Sequence, residues 1–222
     1  MESSRLAHNH PHPLAGAAWA GRRVALLGGS FNPAHDGHRA ISLLALQRLG
    51  VDQVWWLVTP QNPLKPVGEM APLSQRLAMA RAVASHPRIR VTGIEAALGA
   101  RYTVETLTRL RRRFPRVRFV WLIGADNLAQ LPRWRRWTEI MALVAVAVFN
   151  RAPYAHQALR GRAALRFRAS RIGERRARRL PTLAPPAWVF VNCRPHPASA
   201  TAIRSAAGPG GWTQMARRRI LA

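Results

Sequence analysis

The sequence predicts an α/β protein built on a Rossmann-like, doubly wound parallel sheet with helices on both faces. From Arg22 onward, short apolar runs rich in β-branched and aromatic residues alternate with stretches of helical periodicity. Strands that are apolar on both faces must be covered on both sides, and helices between the strands provide that cover. In such sheets the ligand binds beyond the carboxyl ends of the strands. Functional residues are therefore expected where the predicted strands end.

Six segments are predicted as strands: Val24 to Leu27, Val54 to Val58, Ile89 to Val91, Phe119 to Ile123, Leu143 to Phe149 and Trp188 to Val191. Four segments are predicted as helices: His38 to Leu49, Leu73 to Ala84, Thr103 to Phe114 and a stretch around Leu128 to Met141. The longest uninterrupted apolar run, Ile140 to Phe149, is too short to span a bilayer and is interpreted as a buried strand. No membrane association is therefore expected.

The chain has 222 residues and one cysteine, Cys193. This length suits one sizeable domain, predicted over residues 22–222 and preceded by a flexible extension at residues 1–21. A single cysteine rules out an internal disulfide and fits a reducing compartment. The first residues, MESSRLAHNHPHP, place polar residues and prolines where a secretory signal would be apolar. A cytoplasmic protein is therefore predicted.

The formal net charge is +26, from 35 basic and 9 acidic residues, which favours anionic ligands. A nucleic-acid-binding module is one candidate, with the Arg-rich segment 151–180 as its phosphate-tracking surface. That segment holds ten arginines and one acid, Glu174, and is predicted to be helical and solvent-facing. However, Lys65 is the only lysine of the chain, and so strong a skew toward arginine also fits a genome-wide codon bias. No specific nucleic acid partner is therefore expected.

The stretch GGSFNPAHDGH, residues 28–38, directly follows the first predicted strand. Gly28 and Gly29 leave room for backbone N–H groups to approach a ligand, and a helix that begins near His38 offers an anion site at its N-terminus. His35 and His38 can then donate hydrogen bonds to one phosphate group without a permanent positive charge. A lone histidine here would more often be structural, but two at this spacing favour phosphate binding.

This stretch contains neither G-x-G-x-x-G nor a Walker G-K-[ST] sequence. It resembles the (H/T)xGH motif of the adenylyl- and cytidylyltransferase superfamily, whose histidines contact the nucleoside triphosphate. A second phosphate-binding stretch is predicted at Ser199 to Arg204, where small hydroxyl residues precede a helix and an arginine follows. It resembles the ISSTxIR motif of the same superfamily. Residues 199–222 would then hold this ATP-site motif and a C-terminal tail.

Three further stretches of the sequence narrow the resemblance from the superfamily to one of its families. Gln61 to Pro66 follow the second strand, Arg101-Tyr102-Thr103 precede a helix, and Gly124 to Leu128 leave the fourth strand ahead of Trp134. Together with the two motifs, they resemble the nicotinate-mononucleotide adenylyltransferase family of bacterial NAD synthesis. The resemblance extends over nearly the whole chain, from Arg22 to Arg204.

The resemblance assigns residues to two halves of one site. His38, and with it His35, would be catalytic. The residues implied in ATP binding are Gly28, Gly29, His35, His38, Gly124, Asp126, Ser199, Thr201 and Arg204. The residues implied in mononucleotide binding are Ser30, Phe31, Lys65, Tyr102, Thr103 and Trp134. Two of these positions have an alternative interpretation: Asp126 as a helix N-cap and Trp134 as a core aromatic residue.

The resemblance implies transfer of AMP from ATP to nicotinate mononucleotide, which gives nicotinic acid adenine dinucleotide and pyrophosphate. The mononucleotide phosphate would attack the α-phosphorus of ATP in line, without a covalent enzyme intermediate. The sequence offers no carboxylate cluster for a protein-held metal pair, so Mg²⁺ is expected to arrive on the ATP phosphates and no metal ligands are assigned. Within the enzyme class, the alternative is another acceptor, either phosphopantetheine or nicotinamide mononucleotide.

Overall fold

The computed structural model describes residues 16–60, 70–151, 153–194 and 196–207. Within these ranges the chain forms a seven-stranded sheet in which each pair of neighbouring strands is parallel. The strands are β1 Arg23–Gly29, β2 Gln53–Val58, β3 Ile89–Thr92, β4 Arg118–Gly124, β5 Ala145–Phe149, β6 Arg171–Ile172 and β7 Trp188–Val191. Their spatial order is β3-β2-β1-β4-β5-β7-β6.

Helices connect these strands. The α-helices of the described ranges are α1 Asp36–Arg48, α2 Leu73–Ala84, α3 Ile94–Leu98, α4 Thr103–Arg113, α5 Ala125–Gln130, α6 Trp137–Leu143, α7 Ala155–Arg160, α8 Arg162–Arg166 and α9 Ala200–Ala207. Short 3₁₀ helices lie at Gly16–Trp19, Leu131–Arg133, Arg168–Ser170 and Glu174–Thr182. None of the helices in this part of the chain is long and apolar enough to cross a membrane.

The strand order reverses at β1. From β1 the chain continues outward to β2 and β3, then returns to β4 on the other side of β1 and continues to β5 and β7. Leu27 is therefore paired with Trp56 of β2 on one side and with Leu122 of β4 on the other. A reversal of this kind leaves a crevice at the carboxyl ends of the two central strands, here β1 and β4.

Alternate strand residues pack into separate cores on the two faces of the sheet. Leu26, Trp55 and Trp121 belong to one core, together with buried side chains of α4 to α8. Ala25, Trp56 and Leu122 belong to the other, together with buried side chains of α1, α2 and the 3₁₀ helix Glu174–Thr182. Helices therefore cover both faces, which confirms the predicted doubly wound class.

The six predicted strands are all present, but the prediction for the apolar run Ile140 to Phe149 was wrong in its first part. Residues 140–143 form the end of α6, and β5 begins at Ala145. An apolar run that is buried in either state does not distinguish a helix end from a strand by its periodicity. β6 was not predicted, because its two residues are too short to show any periodicity.

The single helix predicted around Leu128 to Met141 is broken into α5, the 3₁₀ helix Leu131–Arg133 and α6. Pro132 has no backbone N–H to continue an α-helix. Arg136 then adopts φ 51°, in the left-handed region, and α6 begins at the next residue. Buried residues of all three elements, Leu128, Leu131, Ile140 and Met141, belong to the same core, which explains why the stretch resembled one helix.

The prediction of a solvent-facing helical segment at residues 151–180 was only partly right. The segment does contain α7, α8 and two 3₁₀ helices, but it also contains β6, which pairs with β7. Five of its small and apolar residues are buried: Ala158, Ala163, Ala164, Ala177 and Leu180. The segment therefore covers the sheet with one side and carries most of its arginines on the other.

The core also reaches back beyond the predicted domain boundary at Arg22. Trp19 is 2% exposed, and its ring packs edge-on against Trp55 with the ring centroids 5.0 Å apart. The N–H of Gly21 donates to the carbonyl of Arg116 over 2.9 Å. The remainder of the predicted extension, residues 1–15, and the tail at residues 208–222 lie outside the described residues.

Candidate active site

A cleft of about 130 Å³ opens at the carboxyl edge of the sheet, where the strand order reverses. The N-terminus of α1, the ends of β4 and β5, and the chain after β7 line it. The polar side chains and glycines that line it are His35, Gly37, His38, Gly124, Asn150, Arg151, Arg194 and His196. A larger depression of about 510 Å³ lies beside it along α1, but its lining within the described part of the chain includes no histidine. The chemistry therefore points to the smaller cleft.

The two histidines cap the start of α1. Nδ1 of His35, the N-cap residue, accepts a hydrogen bond from the N–H of Gly37 over 3.1 Å. Nδ1 of His38 accepts one from the N–H of His35 over 3.2 Å. The helix consequently begins at Asp36, two residues before the predicted start at His38. Because a neutral imidazole has one acceptor and one donor nitrogen, these bonds leave both rings with the proton on Nε2.

Burial keeps both imidazoles uncharged. The ring centroids of His35 and His38 are 3.9 Å apart. Burial, with the positive charge of Arg151 as a second cause, lowers the pKa of His35 to about 4. Burial likewise lowers the pKa of His38 to about 3, with His35 as a second cause. At neutral pH the pair therefore offers two neutral N–H donors.

A buried group of side chains supports His38. Phe31 is 1% exposed, and its ring centroid lies 4.6 Å from that of His38 and 5.0 Å from that of Trp56, on which it stacks. Trp56 Nε1–H donates to Ser42 Oγ over 2.7 Å, and the Ser42 hydroxyl donates to the carbonyl of His38 over 2.8 Å. Phe31 was predicted to bind the mononucleotide. In the structure it is buried beside His38.

The two glycines at the end of β1 differ in their surroundings. A Cβ added to Gly28 would lie 2.5 Å from Cη2 of Trp121, so this glycine is required by packing. A Cβ added to Gly29 would approach nothing closer than 3.5 Å, in the ring of Phe31. An indole therefore fills the space at Gly28, and the Phe31 ring packs at ordinary contact distance over Gly29.

Gly124 and Asp126 lie at the end of β4. Gly124 is the N-cap residue of α5, so the alternative of Asp126 as the N-cap was wrong. Oδ2 of Asp126 accepts a hydrogen bond from Nη1 of Arg151 over 3.3 Å. Oδ1 of Asp126 is buried and has no hydrogen-bond partner among the described residues. Because an unsatisfied buried acceptor is costly, this oxygen needs a donor that the described residues do not supply, and it packs against Gly124.

The late motif packs directly onto the early one. Oγ of Ser199 accepts from the N–H of Ala202 over 3.1 Å, which caps α9 as the sequence predicts. Nη1 of Arg204 donates to the carbonyl of Asn32 over 2.7 Å, and Nη2 lies 3.5 Å from Oγ1 of Thr201. The chain before α9 also lies close to α1. A Cβ added to Gly37 would be only 3.1 Å from the carbonyl oxygen of Ala198.

The predicted mononucleotide residues that the structure describes, Ser30, Phe31, Tyr102, Thr103 and Trp134, do not line this cleft. Tyr102 and Thr103 stand at the N-terminus of α4, where the guanidinium of Arg135 lies 4.8 Å from the centroid of the Tyr102 ring. Trp134 is half-buried and packs against the core below, which supports its alternative as a core aromatic residue. Tyr102 and the segment after α5 are thus neighbours. Lys65 and its loop lie outside the described residues.

Sequence reasoning missed two arginines near the site. Arg151 follows the end of β5 and lines the cleft beside Asp126, and the rule that ligands bind where strands end could have found it. Arg76 of α2 is 1% exposed and donates to the carbonyl of Ser30 over 2.8 Å. No local signal distinguishes Arg76 from the many other arginines of the chain.

Comparison with known proteins agrees with this geometry. The model of the cytidylyltransferase-like family matches residues 26–206. A protein of Bradyrhizobium sp. (strain ORS 278), named "Probable nicotinate-nucleotide adenylyltransferase", is 50% identical over 86% of this chain and 98% of its own length. A protein of Cereibacter sphaeroides (strain ATCC 17023) with the same name is 52% identical over 85% of this chain and 98% of its own length.

Solved structures share the fold. Plasmodium falciparum nicotinic acid mononucleotide adenylyltransferase complexed with NaAD superimposes with a TM-score of 0.64 at 13% identity and covers 89% of each chain. The same protein complexed with APC superimposes with a TM-score of 0.61 at 14% identity and covers 83% of each chain. At this identity the likeness supports the fold alone.

The capping bonds and the burial of the histidines predict their titration. In ¹⁵N-labelled protein we expect both rings to show the Nε2–H tautomer and to stay neutral down to about pH 5, because their pKa values lie at about 4 and about 3. An unfolded histidine titrates near pH 6.5. The unfolded chain therefore binds more protons below that pH, and the stability of the fold decreases as the pH falls toward 4.

Long-range ¹H–¹⁵N spectra across this pH range measure both the tautomer and the titration. The variants His35→Gln and His38→Gln assign the signals. A midpoint near pH 6.5 for either ring would contradict the burial and the capping described above.

Proposed function

The chain belongs to the nicotinate-nucleotide adenylyltransferase family, and we propose that it transfers AMP from ATP to nicotinate mononucleotide at the cleft beside α1. The products are nicotinic acid adenine dinucleotide and pyrophosphate. The observation that carries the proposal is the pair of neutral histidines, His35 and His38, at the N-terminus of a helix that faces the strand reversal. We also propose the cytoplasm as its place of action, where a single cysteine stays reduced.

The histidine pair suits a phosphate whose charge changes during the reaction. When the mononucleotide phosphate attacks the α-phosphorus, negative charge develops on the oxygens of that phosphorus and on the leaving pyrophosphate. Nε2–H groups of His35 and His38 can donate to these oxygens, and the positive end of α1 lies at the same place. Neutral donors bind the ground state less strongly than cations do, so more of their effect falls on the transition state.

The basic groups around the cleft suit the triphosphate. Arg151 and Arg194 line it, and Arg204 is held beside it through its bond to Asn32. A ribose hydroxyl could donate to the carboxylate of Asp126 in this proposal, because Oδ1 lies buried against Gly124 without a partner among the described residues. We propose that ATP binds on this β4-β5-β7 side and the mononucleotide on the β1-β2-β3 side, with the histidines between them.

Magnesium enters this proposal as part of the substrate. Among the described residues, no group of three or more His, Cys, Asp or Glu side chains could hold a metal ion. Mg²⁺ prefers oxygen ligands and keeps several waters, so it binds readily to phosphate oxygens. We propose that it arrives on the ATP phosphates and lessens their charge during transfer.

The proposal is tested by product identification with three acceptors in parallel. Purified protein with Mg-ATP and nicotinate mononucleotide should form pyrophosphate and nicotinic acid adenine dinucleotide in equal amounts, as measured by mass spectrometry. Nicotinamide mononucleotide and phosphopantetheine, offered separately, should react more slowly. Faster turnover of either one would assign the chain to a different acceptor, and no product from all three would refute adenylyl transfer.

Removal of one histidine tests its role. His38→Ala should lower kcat by about two orders of magnitude or more, the scale observed for a lost transition-state donor. ATP binding, measured by calorimetry, should change much less, because Arg204 and the other basic groups of the cleft remain. The matched control is His86→Ala. His86 lies between α2 and the start of β3, at the amino ends of the strands and away from the cleft. Near-normal turnover in His38→Ala would remove His38 from the mechanism.

A further inference from the structure

One guanidinium lies buried beside the loop that follows β1. Arg76 of α2 is 1% exposed. Among the described residues it donates four hydrogen bonds, all to backbone carbonyl oxygens. Nε donates to Ala71 over 2.8 Å, Nη1 to Ser30 over 2.8 Å and to Thr59 over 2.7 Å, and Nη2 to Pro60 over 2.8 Å. One side chain therefore joins the ends of β1 and β2 to the start of α2.

The charge of Arg76 is not cancelled by the groups that it bonds. Its four partners are neutral carbonyls, which contribute dipoles but no negative charge. Burial lowers the pKa of this guanidinium below its usual value, but arginine remains protonated in proteins. A positive charge thus remains beneath Ser30, in the loop that leads to the histidines. Such a charge favours an anion at that loop.

A second buried group continues the connection toward α4. The hydroxyl of Thr59 donates to Oε2 of Glu95, a carboxylate that is 6% exposed. Oε1 of the same carboxylate accepts from the hydroxyl of Thr106 over 2.8 Å. Thr106 lies in the first turn of α4, and its N–H donates to the carbonyl of Tyr102 over 3.0 Å. Hydrogen bonds therefore connect Ser30 to Tyr102 through the interior.

We propose that Arg76 and the Thr59–Glu95–Thr106 chain position the mononucleotide half of the site. This inference rests on the proposed function. The elements that they join are the ends of β1 and β2, α2, α3 and the first turn of α4, and β1, β2 and β3 form one side of the strand reversal. Among the described residues, none of these four side chains bonds directly to Arg151, Asp126 or Arg204. The connection to α9 is indirect: the N–H of Ala71 donates to Oδ1 of Asn32 over 3.2 Å, and the carbonyl of Asn32 accepts from Arg204.

This separation predicts a selective effect on one substrate. Lysine in place of Arg76 keeps the charge but has three donors and no planar fork, so it cannot hold four carbonyls in place. Arg76→Lys should raise the KM for nicotinate mononucleotide about tenfold and change the KM for ATP by less than about twofold. Thr59→Val, which removes only the hydroxyl bond to Glu95, should raise the mononucleotide KM by about fivefold.

Steady-state kinetics with each substrate varied at saturation of the other measures the effect, and thermal unfolding shows that each variant is folded. Arg81→Lys, at an exposed position of the same helix, is the matched control and should leave both constants unchanged. Thr59→Ser restores the hydroxyl and should restore the mononucleotide KM. Where Arg76→Lys fails to fold, the comparison of Thr59→Val with Thr59→Ser decides.

The inference is overturned by folded variants in which the mononucleotide KM is unchanged or in which both KM values rise equally. A failure of the proposed function has a different signature, because the unaltered chain would then form no dinucleotide at all.

Discussion

The candidate site depends on the hydrogen bonds by which two imidazoles cap one helix. Each Nδ1 of His35 and His38 accepts a backbone N–H at the start of α1. This satisfies donors that a helix start otherwise leaves without partners, fixes the ring orientations and leaves the Nε2–H groups for a ligand. Burial against Phe31 and Trp56 then keeps the His38 ring neutral, and burial also keeps His35 neutral. The same bonds thus determine where α1 begins, which tautomer is present and which groups can donate to phosphate.

The strand reversal places two separate sets of contacts around the start of α1. Because the strand order reverses at β1, the loop after Gly29 lies between two sets of strand ends. On one side, buried Arg76 and Glu95 connect Ser30 to α4. On the other, Arg204 returns from α9 to the carbonyl of Asn32. Both sets of contacts hold the same short loop, so its geometry is fixed from two directions before any substrate binds.

Much of this could be predicted from the sequence. The strands are strongly apolar, and the early motif combines residue types that few other functions require, so the fold and the histidine pair followed from local patterns. Other features depend on the packed structure. Gly28 was assigned to ligand approach, yet the indole of Trp121 occupies that space. Arg76 looks like any other arginine until its burial is known. By contrast, Pro132 could have predicted the break in the helix, whereas the left-handed backbone of Arg136 is seen only in the structure.

The central claim is that AMP passes directly between two bound substrates, with the histidines as donors and not as nucleophiles. The stereochemistry at the α-phosphorus tests this most directly. The protein would be given nicotinate mononucleotide and one isomer of an ATP analogue with sulfur in place of a non-bridging α-oxygen, and the configuration of the product would be read by ³¹P NMR. A single in-line displacement predicts inversion. Retention would indicate two displacements through a covalent enzyme intermediate and would contradict the account.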